Sequence, residues 1–234
     1  MTLSTEKPLP RTKHQGILLI NKPIGVTSFS LIPKFRYLFN EKTIGHGGTL
    51  DPLATGVMVY LIGRNYTKTA DSFLLDDKEY HATILLGQER DSYDVDGNIT
   101  HTSDKVPAFS EIFDAMAAFN GVVDQIPPMF SAKKVNGKKL YEIARKGGEI
   151  DRLPKRVQMT TTITAYTYPH LEISVTCSSG TYIRSIAHDL GQMLGCYGCI
   201  EALKRTRSGS YCLENCHQME NVLHYPLDEL LIQY

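Results

Sequence analysis

Gly45-His46-Gly47-Gly48-Thr49-Leu50-Asp51-Pro52-Leu53-Ala54-Thr55-Gly56-Val57 sets one carboxylate, Asp51, in a glycine-dense loop closed by proline and followed by an apolar run. Without a Cβ, Gly45, Gly47 and Gly48 admit positive φ and let a bulky ligand come close to the backbone. Pro52 offers no backbone N–H and biases Asp51 towards extended geometry, so the carboxylate leaves the loop in a restricted direction. Val57-Met58-Val59-Tyr60-Leu61-Ile62 reads as a buried strand or short core element that anchors the loop. A lone aspartate in such a turn is also a common turn residue. These residues alone leave both readings open.

Working outward, Gly16-Ile17-Leu18-Leu19-Ile20 reads as a short buried strand that runs into the turn Asn21-Lys22-Pro23-Ile24-Gly25. Thr27 or Ser28 can cap a helix through about Tyr37. Glu79 to Gly87 has strand alternation, and Ser110 opens a helix with Ile112, Phe113, Met116, Ala117 and Phe119 on its apolar positions. A short helix spans Lys138 to Lys146, and strands follow near 157–168 and 170–177. A helix then runs from Ser185 to about Leu194, and a last strand covers roughly 199–212. Strands and helices intersperse without a regular βαβ period, which predicts an α+β class with a mainly antiparallel sheet.

The 234-residue chain is 42% apolar, ordinary for a globular protein. It has no apolar run near the roughly 20 residues that span a membrane. Lys7, Arg11 and Lys13 sit among prolines with no apolar leader behind them, so the cytoplasm is the expected location and no membrane partner is expected. Formal net charge is zero, but its distribution is uneven. Residues 133–156 hold nine Lys/Arg against three acids, a net +6, while 76–104 hold eight acids against two bases, a net −6. Such segregation can give one basic face suited to a phosphate backbone, or simply a solvated lysine-rich surface. Cys196-x-x-Cys199 and Cys212-x-x-x-Cys216 invite a zinc reading, yet the second pair lacks the glycines of a zinc knuckle. Reduced, partly buried thiols fit better, and no metal is expected.

Taken in order, the glycine loop resembles the catalytic-loop motif of the TruB family of tRNA pseudouridine synthases, written G-H-x-G-x-L-D-P-x-A-x-G. Four further segments resemble the same family: Asn21 to Ser28, Gln125 to Gly137, Ser179 to Gly191, and Leu203 to Gly209. Tyr80 stands where the family places a tyrosine that stacks on the target base. Together these span about residues 16–211.

The resemblance implies the pseudouridine synthase fold and a cofactor-free isomerase that acts on uridine 55 in the TΨC loop of tRNA. It implies Asp51 as the catalytic carboxylate, Arg184 as its partner, and Tyr80 as the stacking and proton-relaying phenol. A close guanidinium favours the ionised form of a carboxylate. Whether Asp51 attacks the base or assists at the ribose stays open. Tyr182 and Leu203 would complete an apolar box around the base, and His46 would fill the gap left by a flipped nucleotide. Lys22 and Lys68 are further expected supports, although the chain is one residue longer than the family between Gly63 and Lys68. Phosphate contacts are expected from the basic segment and from Lys204, Arg205 and Arg207.

The expected organisation is a loose arm at 1–15, a catalytic domain at 16–212 and a short extension at 213–234 without the family's PUA domain. The tRNA T-arm is the expected partner of a monomer. Two rival readings are action on another or guide-selected RNA, and a tRNA-folding protein whose catalysis is secondary.

Overall fold

The strand alternation in the sequence is realised in one large sheet. A computed structural model describes residues 13–131, 133–135, 137–144 and 146–233. Arg145, the side chains of Lys134, Lys138 and Lys139, and most of the expected N-terminal arm lie outside the described residues. Across the sheet the strands run His217–Gln218, Gly16–Lys22, Thr55–Ile62, Gly198–Ser208, Lys78–Leu86, His170–Cys177, Lys155–Thr167 and Gly121–Gln125. Three short strands, Ile44–His46, Tyr211–Cys212 and Leu231–Ile232, pair off this path. Two joins are parallel, Thr55–Ile62 with Gly198–Ser208 and Gly16–Lys22 with His217–Gln218, and the others are antiparallel. This is the mainly antiparallel α+β architecture expected.

Thr55–Ile62 reads as a continuous apolar run because both of its faces are covered. Met58, Tyr60 and Ile62 join the main core, while Val57, Val59 and Leu61 pack with Ile17, Leu19 and Phe73 on the other side. Helix Ile183–Leu194 buries Ile183, Ile186, Ala187, Leu190 and Leu194 against the sheet. At Gly191 a Cβ would stand 2.2 Å from the Gly198 nitrogen, so the helix crosses the start of that strand backbone to backbone. Gly195, at φ +65°, ends it.

Several boundaries differ from expectation for local reasons. Thr27 Oγ1 accepts from the Ser30 N–H at 3.1 Å, which makes a turn of 27–31 and delays the helix to Ile32–Leu38. The helix expected to open at Ser110 spans Phe109–Met116, where the Ala108 N–H donates to Glu111 at 2.7 Å. Phe113, one of the apolar positions of that helix, is 65% exposed. Lys138–Lys139 forms a two-residue strand with Lys134–Val135, leaving a helix only over Leu140–Ala144. The segment after Cys212, expected as an appendage, joins the main sheet. It adds two short strands end to end along the free edge of Gly16–Lys22 and sends Met219, Val222, Leu230 and Leu231 into the core.

Candidate active site

The Asp51 loop rests on the Asn21–Ser28 segment. Ser28 Oγ accepts from the Leu50 N–H at 2.9 Å and lies 3.1 Å from the Leu50 carbonyl, while the Gly25 N–H donates to the Pro52 carbonyl at 2.8 Å. Lys22 is fully buried, and its Nζ donates to the carbonyls of Pro23 (2.9 Å), Val26 (2.7 Å) and Pro52 (3.3 Å). Burial lowers its pKa to about 8, against the opposing pull of Asp51. Lys22 therefore fastens the loop from below and lines no cavity that holds Asp51. Positive φ falls on Gly48 (+103°) and Gly56 (+105°), not on Gly45 or Gly47. At Gly56 a Cβ would lie 2.1 Å from the Arg205 carbonyl oxygen, so only glycine fits beside that parallel neighbour.

Arg184 enters from the first turn of the Ile183–Leu194 helix, and its Nε stands 2.9 Å from Asp51 Oδ2. The rest of the guanidinium is also engaged. One terminal nitrogen donates to the Ser92 carbonyl at 2.7 Å and lies 3.4 Å from Asp94 Oδ2, and the other donates to the Phe130 carbonyl at 2.7 Å. Burial pushes the Asp94 carboxyl up, against the hydrogen bond from Ser92 Oγ at 2.6 Å and the charge of Arg184. The motif match did not point to Asp94. It sits in the acidic run 76–104, where the sequence shows only a charge balance.

Asp51 and Arg184 face a cavity of about 290 Å³ lined also by Tyr80, Tyr182, Leu203, Lys78 and Arg205. The sheet brings these side chains together. Tyr80 is paired with Arg205 and Leu203 with Ala82 across adjacent strands, and Arg205 is in register with Gly56. Tyr182 is clamped by Gln125, whose amide accepts from its N–H at 2.7 Å and donates to its carbonyl at 3.0 Å. Burial raises the Tyr80 phenol above its ordinary value, so it is protonated at neutral pH.

His46 lies outside that cavity and lines an adjoining cleft of about 840 Å³ that shares Asp51 and Arg184. Its ring stands edge-on to Tyr60, its Nδ1 is buried without a partner, and burial with the nearby Arg205 charge lowers its pKa. Lys68 follows the short helix Arg64–Thr67, is exposed, and lines neither cavity. The structure does not bring it to Asp51.

Arg205, grouped in the sequence with Lys204 and Arg207 as a phosphate contact, is 1% exposed. It donates to the Val57 carbonyl at 2.7 Å, so it braces the strand beneath the loop, whereas Lys204 is exposed. Much of the basic segment is also engaged internally. Arg152 donates to the Pro127 carbonyl and to Glu149, Arg156 pairs with Asp124, and Lys155 donates to the Ser179 carbonyl. Cys196 and Cys199 are buried, and burial raises the thiols of Cys199 to about 11 and Cys216 to about 12. Among the described residues, no three His, Cys, Asp or Glu side chains converge as metal ligands.

Residues 36–183 match the family model for the TruB family pseudouridylate synthase N-terminal domain, and residues 184–231 match that for the tRNA pseudouridylate synthase B C-terminal domain. The tRNA pseudouridine synthase B of Chlamydia abortus is 58% identical over 202 residues, 86% of each chain. That of Protochlamydia amoebophila is 52% identical over 215 residues, 92% of this chain and 82% of the relative. Among solved structures, a chain of a Cbf5-Nop10-Gar1 complex superposes with a TM-score of 0.70 at 26% identity. The match covers 90% of this chain and 54% of that one, so this chain spans about half of its length.

Proposed function

This chain belongs to the TruB family of pseudouridylate synthases, and we propose that it converts uridine 55 in the TΨC loop of tRNA to pseudouridine. The observation that carries this reading is the Asp51–Arg184 pair. The carboxylate stays 37% exposed at the mouth of a cavity walled by Tyr80, Tyr182 and Leu203.

The reaction breaks the bond between N1 of uracil and C1′ of ribose, turns the base, and joins C1′ to C5. C5 gives up its proton and N1 gains one, so product and substrate are isomers. Asp51 acts as the carboxylate nucleophile, held ready by a guanidinium that is itself fixed. Tyr80 presents a flat face for the base and a phenol within reach of a proton in transit. His46, neutral and with a free ring nitrogen, faces the cleft from which the nucleotide is drawn, where it can fill the vacated place in the RNA stack. Recognition rests on the shape of the folded T-loop and on phosphate and 2′-hydroxyl contacts. The tRNA pseudouridine synthase B relatives support tRNA as the substrate.

The test is an unmodified tRNA transcript incubated with the protein and mapped by carbodiimide treatment and primer extension. One new stop is expected, one nucleotide to the 3′ side of position 55, and it marks that position. A stop elsewhere, or none on tRNA with one on ribosomal RNA, would overturn the substrate assignment.

A further inference from the structure

We infer that Glu89 is a positioning residue for Arg184, locking the hairpin that carries half of the guanidinium's acceptors onto the helix that carries the guanidinium. This rests on the reading that the Asp51–Arg184 pair performs the chemistry.

Glu89 lies in the short strand Gln88–Arg90, which pairs with Ile99–Thr102 apart from the main sheet. It is 8% exposed and has neighbours on two sides. From helix Ile183–Leu194, Gln192 donates to Oε1 at 2.8 Å, and His188 Nδ1 approaches the same oxygen to 2.7 Å without an aligned hydrogen bond. From the opposite strand, His101 Nδ1 lies 2.7 Å from Oε2 and Thr100 Oγ1 lies 3.4 Å from it. A carboxylate so buried is tolerated only when it is paired and hydrogen-bonded, and here its partners bridge hairpin and helix.

That bridge bears on Arg184. The tip of the hairpin, 91–97, supplies the Ser92 carbonyl and the Asp94 carboxylate to one Arg184 nitrogen. Between them Tyr93 holds φ +64°, a left-handed backbone that a tyrosine rarely adopts, and its ring stacks on His188 at 3.9 Å between centroids. His188 is one helical turn beyond Arg184, so the ring that Tyr93 covers and the cation that its neighbours bind share one helix face. Arg90 closes the tip by donating to the Val95 and Gly97 carbonyls. The tip also hooks onto the Gly198–Ser208 strand through Ile200, while Glu89 ties the hairpin's base to the helix at Gln192.

The test compares E89A and E89Q with wild type, using the full chain well below its melting temperature. The first readout is single-turnover pseudouridine formation beside RNA affinity. The second is the Nε–H signal of Arg184 in a spectrum of arginine-labelled protein, assigned with R184K. E89A is expected to slow turnover about 100-fold, the scale of a misplaced catalytic group, with RNA affinity unchanged. It is also expected to broaden the Arg184 signal. E89Q, which keeps the size and one acceptor, is expected to recover most of both. If E89A keeps a wild-type rate and a sharp Arg184 signal while only its melting temperature falls, Glu89 is structural and the inference is overturned. If wild type forms no pseudouridine, the functional reading fails, and the Arg184 signal alone then decides the positioning claim.

Discussion

Arg184 and Asp51 meet at 2.9 Å, yet their side chains differ in exposure, 4% against 37%. The cation is built into the protein and the anion is presented outward. The Ser92 and Phe130 carbonyls and Asp94 hold both terminal nitrogens of the guanidinium, and only the Nε–H turns to Asp51. Arg184 therefore keeps its place whether or not Asp51 stays engaged, and the carboxylate is free to form a new bond.

This asymmetry predicts unequal costs of removing each partner. D51N keeps the terminal nitrogens of Arg184 paired and leaves an amide oxygen for the Nε–H, so it should change unfolding free energy by about 1 kcal/mol, the scale of one hydrogen bond. R184M strands the buried Asp94 and should cost about 3–5 kcal/mol. Urea unfolding of the two variants at pH 7.5 measures the difference, and equal losses would mean that the pair is not asymmetric.

Asp189 gives a pH-dependent prediction. Burial raises its carboxyl to about 6. Between the unfolded value near 4 and pH 6, the folded chain holds a proton that the unfolded chain has lost, so stability falls as pH rises through this window. Relative to Asn, Asp189 thus costs nothing below about pH 4 and its full penalty above about pH 6. D189N should be more stable than wild type by about 1–2 kcal/mol at pH 7.5, after allowance for solvent screening, and equal to it at pH 4. A gap that persists at pH 4 would contradict the assignment.

His46 carries the opposite sign. Burial holds its folded pKa below the unfolded value near 6.5, so the unfolded chain alone takes up a proton as pH falls below that value. Wild type should therefore lose stability relative to H46N between pH 7 and pH 5. Urea midpoints across that range decide it, and a constant difference would show that His46 protonates freely when folded.

The glycine loop, its strand and the partners Tyr80, Tyr182, Arg184 and Leu203 were readable because each lies in a contiguous motif whose order carries its register. Asp94, Glu89 and His188 were not, because their relation to Arg184 arises when a hairpin at 88–102 lands on a helix more than 80 residues later in the chain. Arg205 was misplaced because a charged residue in a basic strand looks solvated until the parallel pairing with Thr55–Ile62 buries it. Lys68 was misplaced with the segment beyond Gly63, where an exposed one-turn helix carries it away from the cavity.

Tyr80 allows separation of binding from proton transfer. Y80F keeps the flat ring but lacks the phenol, so RNA affinity should hold while single-turnover pseudouridine formation falls about 100-fold or more, as for loss of a proton-transfer group. A parallel fall in both would make Tyr80 only part of the binding wall.

The most direct measurement is tritium release from a tRNA transcript labelled at C5 of uridine, with wild type and D51N side by side and RNA binding measured for both. Wild type should release label as C5 exchanges its hydrogen for C1′. D51N should bind the RNA and release none. Release by D51N at the wild-type rate would contradict the account, because the carboxylate presented by Arg184 would then have no part in the chemistry.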